Sequence, residues 1–244
     1  MPPLPTQTIL RIAIAGILNR RRSLRADSAG ALRSGPPVRL EGREHIPPAG
    51  PFLVVMNHYN PPGLPIWWPV MAISLALPEA PHWVMTAAWT YPDGLKRWIL
   101  GPLSGWAFTR VARVYGFTNM PVMPPRPGEE TARAAAVRRV LNYARANPAA
   151  VIGLAPEGHS TPTQSLAWPP PGSGRFMLGL AQSLGQILPV GVCSQDGQLT
   201  VRFGPAFNLA GIPPQPREMA DQQAARCVMD HLARLLPPTL RGEF

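Results

Sequence analysis

The chain has 244 residues, a formal charge of +10 and a pI of about 11.1, so it can form one sizeable domain with a basic surface. Two cysteines without metal-ligand spacing exclude a disulfide framework and a zinc module. Arginine accounts for 22 of the 23 basic residues, and its guanidinium favours phosphate partners such as anionic headgroups or CoA, with a solvated surface as the equal alternative.

The first 36 residues are predicted to form an amphipathic helix and a linker. Between Thr8 and Arg22, apolar side chains recur on one helical face, and Arg20, Arg21 and Arg22 close the segment. A short apolar helix with a basic end is typical of an anchor on an anionic membrane surface. The alternative is a helix packed on the domain. Residues 25–37 are rich in small residues, Gly and Pro, which predicts a linker.

Residues 37–244 are predicted to form an α/β domain, in which a mostly parallel, twisted sheet is flanked by helices, because strands and helices alternate along the sequence. The predicted strands are Val38–Leu40, Phe52–Met56, His82–Thr86, Ala149–Leu154, Ile187–Val192 and Leu199–Phe203. The predicted helices are Leu64–Leu77, Trp89–Val114 broken at Gly101-Pro102, Glu129–Asn147, Phe176–Leu184 and Arg217–Leu236. The longest apolar run, Leu64–Leu77, is shorter than the ~18 residues of a membrane span.

Two of the predicted strands end in residues that carry chemistry. Asn57 and His58 follow Phe52–Met56, and Pro156, Glu157, Gly158 and His159 follow the strand that ends at Leu154. Open α/β sheets place their ligands at the carboxyl ends of the strands. A histidine at that edge is a candidate general base, since its pKa lies near working pH. The structural alternatives are a histidine that caps a turn and a Glu157 that fixes a loop or caps a helix.

Two further features have both a functional and a structural interpretation. Gly172-Ser173-Gly174-Arg175 precedes a predicted helix, so its N–H groups and Arg175 are candidates for binding phosphate, or the segment is only a turn. Six tryptophans crowd the region after His58, where they can line an acyl groove, meet a membrane interface or fill the core. They are Trp67, Trp68, Trp83, Trp89, Trp98 and Trp106.

Asn57-His58 with its Pro/Gly-rich turn resembles the NHxxxxD block of the glycerolipid (PlsC-type) acyltransferases, and Ala155-Pro156-Glu157-Gly158 resembles their FPEG block. The segments at 38–47, 187–192 and 199–205 follow in the family's order. Two positions depart from the pattern. The family's aspartate falls on Gly63, and His159-Ser160-Thr161 replaces the usual Thr-Arg-Ser. The family has one further block, which ends in an arginine. The candidates for that arginine here are Arg110, Arg113 and Arg126.

The resemblance implies an acyltransferase of phospholipid biosynthesis that moves a fatty acyl group from acyl-CoA or acyl carrier protein to a hydroxyl of a lysophospholipid or related acceptor. It implies no metal, no cofactor beyond the acyl donor and no nucleic-acid partner. It places the protein peripherally on the cytoplasmic face of a membrane.

His58 would be the general base, and Glu157 an acceptor contact or a substitute orienting acid. Asn60 is a candidate for orienting His58. The predicted substrate contacts are Asn57, Asn60, Pro156, Gly158, His159, Arg175 and Arg113. The alternative is a lipid-binding or scaffold protein of the same fold, impaired as a catalyst by Gly63.

Overall fold

The structure is a computed structural model that describes residues 4–89, 95–123, 126–195, 197–213 and 215–244. In these ranges seven strands and seven α-helices alternate along most of the sequence. The strands are β1 (Val38–Glu41), β2 (Phe52–Met56), β3 (His82–Thr86), β4 (Thr118–Met120), β5 (Val151–Leu154), β6 (Ile187–Gln195) and β7 (Gln198–Phe203). The helices are α1 (Thr6–Ile17), α2 (Leu24–Leu32), α3 (Trp67–Ala76), α4 (Leu95–Tyr115), α5 (Glu130–Ala146), α6 (Ser173–Leu184) and α7 (Arg217–Ala233).

The described strands form one seven-stranded sheet in the order β1-β7-β6-β2-β5-β3-β4. Each neighbouring pair is parallel except β6 and β7, which are joined as an antiparallel hairpin. Strand β2 lies in the centre, where Val54 is in register with Gly153 of β5 and Leu188 of β6. The predicted α/β class with a mostly parallel sheet is confirmed.

The central strand divides the core into two layers. Phe52, Val54 and Met56 belong to a buried cluster that also contains residues of α2 and α3, whereas Leu53 and Val55 pack with residues of α5, α6 and α7. Successive side chains of a strand point to opposite faces, so a strand covered on both sides is apolar throughout. Burial of each such side chain contributes roughly 1.5–3 kcal/mol, which fixes β2 and the loop that follows it.

A glycine in β5 makes room for the aromatic part of the core. A Cβ on Gly153 would lie 2.5 Å from the Trp83 ring, so no larger residue fits beside this indole. Trp83 is buried and donates a 2.9 Å hydrogen bond from Nε1 to Ser74 Oγ of α3. Trp68 is fully buried and Trp67 is half-buried, while Trp89, Trp98 and Trp106 are exposed. The predicted tryptophan cluster is therefore split between the core and the surface.

Three predictions about local structure need correction. Residues 25–37 are not simply a linker, because α2 occupies most of them; Ser23 Oγ caps this helix by accepting from Ala26 N–H at 3.2 Å. Helix α4 is not broken at Gly101-Pro102. Proline removes one backbone hydrogen bond, and here the flanking turns continue through it. Residues 90–94 of that predicted helix lie outside the described residues. Strand β4 was not predicted, because three residues carry too little periodicity.

Candidate active site

The loops after β2 and β5 meet through a single carboxylate. We call residues 57–66 the His58 loop and residues 155–172 the Glu157 loop. Glu157 Oε1 accepts a 2.7 Å hydrogen bond from the backbone N–H of His58, and Oε2 accepts a 3.0 Å hydrogen bond from that of Ala167. Because β2 and β5 are parallel neighbours, both loops leave the same edge of the sheet. The predicted convergence of the two motifs is therefore observed.

A second contact ties the same two loops together. Gln164 Oε1 accepts a 2.8 Å hydrogen bond from Asn60 N–H, and Gln164 adopts a left-handed φ of 59° that is uncommon for this residue type. Asn60 Oδ1 in turn accepts a 3.0 Å hydrogen bond from Ile66 N–H, just ahead of α3. The Asn60 side chain thus closes its own loop, and the structure does not support its predicted contact with the His58 ring.

Glu157 is a buried carboxyl with only 2% of its surface exposed. Burial raises its pKa to about 7, although the N–H groups of His58 and Ala167 oppose this shift by stabilising the charged form. The carboxyl therefore changes charge close to neutral pH. Its two oxygens are both used by the backbone, so Glu157 holds the loops and does not orient the imidazole. The structure thus corrects the predicted role of substitute orienting acid.

The His58 side chain stands half-buried at the junction of the two loops. Burial lowers the pKa of its imidazole, contact with its own backbone opposes this shift, and the charge of the nearby His159 lowers the pKa further. A neutral ring is the form that a general base requires. Ring atom Nδ1 is buried and has no hydrogen-bond partner among the described residues. No described group therefore takes the part of the family's aspartate, whose position here is Gly63.

The Pro156-Glu157-Gly158 segment is a tight turn. Gly158 N–H donates to the Ala155 carbonyl at 3.2 Å, and Gly158 has a φ of 70°, which favours glycine. Pro156 is buried beneath the turn, while Gly158 and His159 are exposed at its surface. His159 Nδ1 lies 2.9 Å from the Glu157 carbonyl oxygen. Gly158 and His159 thus remain available to a ligand, whereas Pro156 shapes the turn from below.

Asn57 is bound into the sheet, and its side chain is buried away from the solvent. Its Nδ2 donates to the Val192 carbonyl at 2.9 Å, and its Oδ1 accepts from Val192 N–H at 2.7 Å. The side chain is 2% exposed, and these two bonds extend the pairing of β2 with β6 past the last strand residue. The predicted contact of Asn57 with a substrate is therefore not supported. Its side chain instead binds the β6 backbone and so fixes the direction of the chain at His58.

The predicted anion site at the start of α6 holds a carboxylate of the protein itself. Asp221 of α7 accepts from Gly172 N–H at 2.7 Å and from Arg175 N–H at 2.8 Å. These are the N–H groups that the sequence offered to a phosphate. The Arg175 side chain is exposed beside Asp221, at a surface cavity of about 330 Å³. The backbone cradle is thus occupied, and the structure does not connect Arg175 with the His58 loop.

Arg113 is not at the catalytic edge of the sheet. Helix α4 connects two parallel strands, so it begins at the edge where β3 ends and finishes at the edge where β4 begins. Arg113 lies in its last turn and therefore opposite to His58, which contradicts the prediction. Arg110, another candidate, donates to the Gly16 carbonyl at 3.0 Å. Arg126 follows β4 and so lies on the His58 side of the sheet.

The loop after β4 adjoins the Glu157 loop, a feature that the sequence did not reveal. A Cβ on Gly158 would lie 2.9 Å from Met123 Cγ, so the two loops are in close contact there. Gln164, Ala167 and Asp221 were also missed as residues of the site and its surroundings. Gln164 and Ala167 belong to no motif, and Asp221 is one polar residue of an amphipathic helix. Only the contacts of the folded chain identify them.

Comparison with known proteins agrees with this geometry. A family model described as Acyltransferase matches residues 37–193, which include both loops. The chain belongs to the acyltransferase family. A solved structure, the 1-acyl-sn-glycerophosphate (LPA) acyltransferase PlsC from Thermotoga maritima, is similar to this acyltransferase with 14% sequence identity and a TM-score of 0.48, over 92% of this chain and 87% of that chain. No curated protein matches the chain significantly.

Proposed function

We propose that this acyltransferase family member transfers a fatty acyl group from acyl-CoA or acyl carrier protein to a hydroxyl of a lysophospholipid or related lipid. The proposal rests chiefly on the 2.7 Å hydrogen bond between Glu157 and the His58 backbone, which joins the two motif loops at one edge of the sheet. His58 takes the proton of the acceptor hydroxyl as that oxygen attacks the thioester carbonyl. The C–S bond of the resulting tetrahedral intermediate then breaks, and the imidazolium gives its proton to the leaving thiolate of CoA or the carrier protein. Burial lowers its pKa, so a neutral imidazole is present at working pH.

Glu157 acts in this proposal as the residue that positions the base. The Glu157 carboxylate holds the backbone of His58 and so sets where the imidazole meets the acceptor hydroxyl. Holding two reacting groups in the correct geometry lowers the barrier of their reaction. The exposed Gly158 and His159 border the place where an acceptor headgroup would lie. Arg126 is the arginine whose topology suits a phosphate contact, since it follows β4 on the same side of the sheet.

The test is acyl transfer followed by mass spectrometry, with acyl-CoA and acyl carrier protein donors across a panel of lysolipids. His58→Ala should lose the ~10²–10⁴-fold that a general base typically supplies. His45→Ala is the matched control, because His45 lies ahead of β2 and outside both loops. Equal rates for the wild type and His58→Ala would remove His58 from the reaction.

A second candidate function is lipid binding without catalysis, on the same fold. The observation that favours it is the unpartnered Nδ1 of His58, at a motif whose aspartate is Gly63. Without an acceptor at Nδ1, nothing described fixes the imidazole in the tautomer that frees Nε2 to act as base. In that case lysolipids would bind wild type and His58→Ala alike, with no acyl transfer by either protein.

The proposal includes a peripheral position on the cytoplasmic, anionic surface of a membrane. Exposed apolar side chains form a stripe on α1 and a second one on α4, which we together call the α1–α4 face. Its members are Ile9, Leu10, Ile14, Ile17, Leu18, Trp98, Ile99, Leu103 and Trp106. The two helices pack side by side, since a Cβ on Gly16 would lie 3.1 Å from Arg110 Cβ. Trp98 is 81% exposed, which is unusual for so large an apolar ring.

Tryptophan and arginine together favour the boundary between headgroups and acyl chains. Among the described residues, no helix combines the length and apolarity needed to cross a bilayer. The α1–α4 face therefore suits insertion into one leaflet. Flotation with anionic vesicles should detect at least a tenfold weaker partition for the double variant Trp98→Ala/Trp106→Ala, at roughly 1.4 kcal/mol per factor of ten. Met219→Ala, an exposed apolar change on α7, is the control. Unchanged flotation would exclude this face.

A further inference from the structure

Residues 237–244, which we call the post-α7 segment, fold back onto the Glu157 loop. Leu166 N–H donates a 2.9 Å hydrogen bond to the Leu240 carbonyl. Gly242 then passes so close that a Cβ on it would lie 2.3 Å from the Leu166 carbonyl oxygen. Its φ of 62° also favours glycine. The backbone of Leu166 is therefore held on both sides by this segment.

An aromatic contact holds the loop two residues further on. The rings of Trp168 and Phe244 lie 4.9 Å apart, and the Arg226 guanidinium of α7 stands over both, at 5.9 Å and 5.2 Å from their centroids. A guanidinium over a ring face is attracted to it electrostatically, so Arg226 holds the two rings together. Together with the Leu240 hydrogen bond they fix the direction of the chain on either side of Ala167.

Ala167 is the residue through which this arrangement reaches the active site. Its N–H donates to Glu157 Oε2, while Glu157 Oε1 accepts from His58 N–H. An unbroken series of contacts thus runs from Leu240 and Phe244, through residues 166–168 and Glu157, to the backbone of His58. Its non-covalent links are hydrogen bonds and a ring contact, and residues 166–168 are joined by the chain itself.

We propose that the post-α7 segment is a positioning element of the active site, which holds residues 166–168 so that Glu157 can keep the His58 loop in place. The effect on acyl transfer rests on the proposed function, whereas the effect on the loop does not. If residues 166–168 lose their contacts with the post-α7 segment, the first hydrogen bond to weaken is the one between Ala167 N–H and Glu157 Oε2. Glu157 then loses one of the two N–H groups that fix its carboxylate, so its hydrogen bond to the His58 backbone is less firmly positioned, and the bond between Asn60 and Gln164 becomes the other remaining tie between the two loops.

The test compares two glycines that share a left-handed backbone. Gly242→Ala introduces both backbone strain and a collision with Leu166, whereas Gly185→Ala introduces backbone strain alone, at a φ of 81° and with open space around the new Cβ. Phe244→Ala is a milder second variant that removes the Trp168 contact without backbone strain. Met219→Ala is its control on α7. Thermal unfolding establishes that each variant is folded before it is measured.

The first readout is amide hydrogen exchange at Ala167 and His58, which requires no enzymatic activity. We expect exchange to be at least tenfold faster in Gly242→Ala and Phe244→Ala, and unchanged in both controls. The second readout is the pH profile of acyl transfer. A weaker Ala167 hydrogen bond stabilises the Glu157 carboxylate less, so the acidic limb should move to higher pH, with several-fold lower activity at pH 7 that recovers at pH 9.

The outcomes separate the two proposals. Wild-type protein without acyl transfer refutes the proposed function, while the exchange rates still decide the positioning role. Equal exchange at Ala167 in Phe244→Ala and Met219→Ala overturns the positioning role, whatever the activity. Equal effects of Gly242→Ala and Gly185→Ala overturn it also, since backbone strain alone would then be the cause. A uniform loss of rate without a shift of the acidic limb would likewise contradict it.

Discussion

The substitution Glu157→Gln tests whether the buried carboxyl works as the structure indicates. Glutamine keeps the shape of the side chain but cannot ionise. Burial raises the pKa of Glu157 to about 7 from its ordinary value of 4.5. A carboxyl whose pKa is higher in the folded than in the unfolded state stabilises the fold while protonated. That stabilisation is complete below pH 4.5 and is lost as the pH rises through 7.

The size of the effect follows from the two pKa values. At about 1.4 kcal/mol for each unit of difference, the wild type should lose roughly 2–3 kcal/mol of unfolding free energy between pH 5 and pH 8 from this group alone. Glu157→Gln has no such loss. The variant has one acceptor oxygen where the wild type has two, so it loses one of the two backbone hydrogen bonds at every pH. The wild type should therefore be the more stable protein at pH 5, and its advantage over the variant should shrink by roughly 2–3 kcal/mol between pH 5 and pH 8. Acyl transfer should be lower in the variant.

Urea unfolding of both proteins across this pH range measures the difference directly. Subtracting the two curves removes the contributions of His58 and His82, whose pKa values burial lowers and which therefore act in the opposite direction. Glu44→Gln is the control, because the Glu44 side chain is 75% exposed. A wild-type minus variant difference that stays constant from pH 5 to pH 8 would show that Glu157 does not titrate near neutrality, and would refute the reasoning.

Two further predictions concern the two residues that follow β2. Asn57→Ala should cost about 2–3 kcal/mol in urea unfolding, because it leaves the buried N–H and C=O of Val192 unpaired. Asn208→Ala, in an exposed loop, is its control, and a loss below about 1 kcal/mol for Asn57→Ala would contradict the structural role. The imidazole of His58 should titrate below pH 6.5 in proton NMR, since burial lowers its pKa; a midpoint at or above 6.5 would indicate a carboxylate that the described contacts lack.

The layout of the sheet and the meeting of the two motif loops could be predicted from local patterns. Strands β2 and β5 are short, continuously apolar runs that stop at polar or Pro/Gly-rich segments, and such runs indicate fully buried parallel strands. Once both strands are parallel, their carboxyl ends lie at one edge. The prediction of a shared site at His58 and Glu157 needs no knowledge of side-chain contacts.

The roles within the site could not be predicted, because they depend on which polar atoms meet after folding. Nothing local distinguishes a Glu157 that binds backbone N–H groups from one that faces an imidazole. The N–H groups at the start of α6 were correctly assigned to an anion, yet the anion is Asp221 from a helix 46 residues away from Arg175. The prediction that Arg113 contacts the substrate is contradicted for a topological reason. Helix α4 runs back to the edge where β4 begins, and β4 was not predicted from the sequence.

The contacts of Glu157 also bear on what the loss of the motif aspartate means. A carboxylate that holds the backbone of His58 fixes where the ring is, but it cannot select which ring nitrogen carries the proton. In a serine protease, converting the orienting acid to an amide lowers the rate about 10⁴-fold for this tautomeric reason, while oxyanion stabilisation and substrate binding persist. In the proposals made above, Glu157 and the post-α7 segment preserve the position of the ring, whereas Gly63 in place of the aspartate removes tautomer control and stabilisation of the imidazolium. Under the proposed function we therefore expect a slow enzyme whose remaining rate still depends on His58, and not a scaffold that has lost the site altogether.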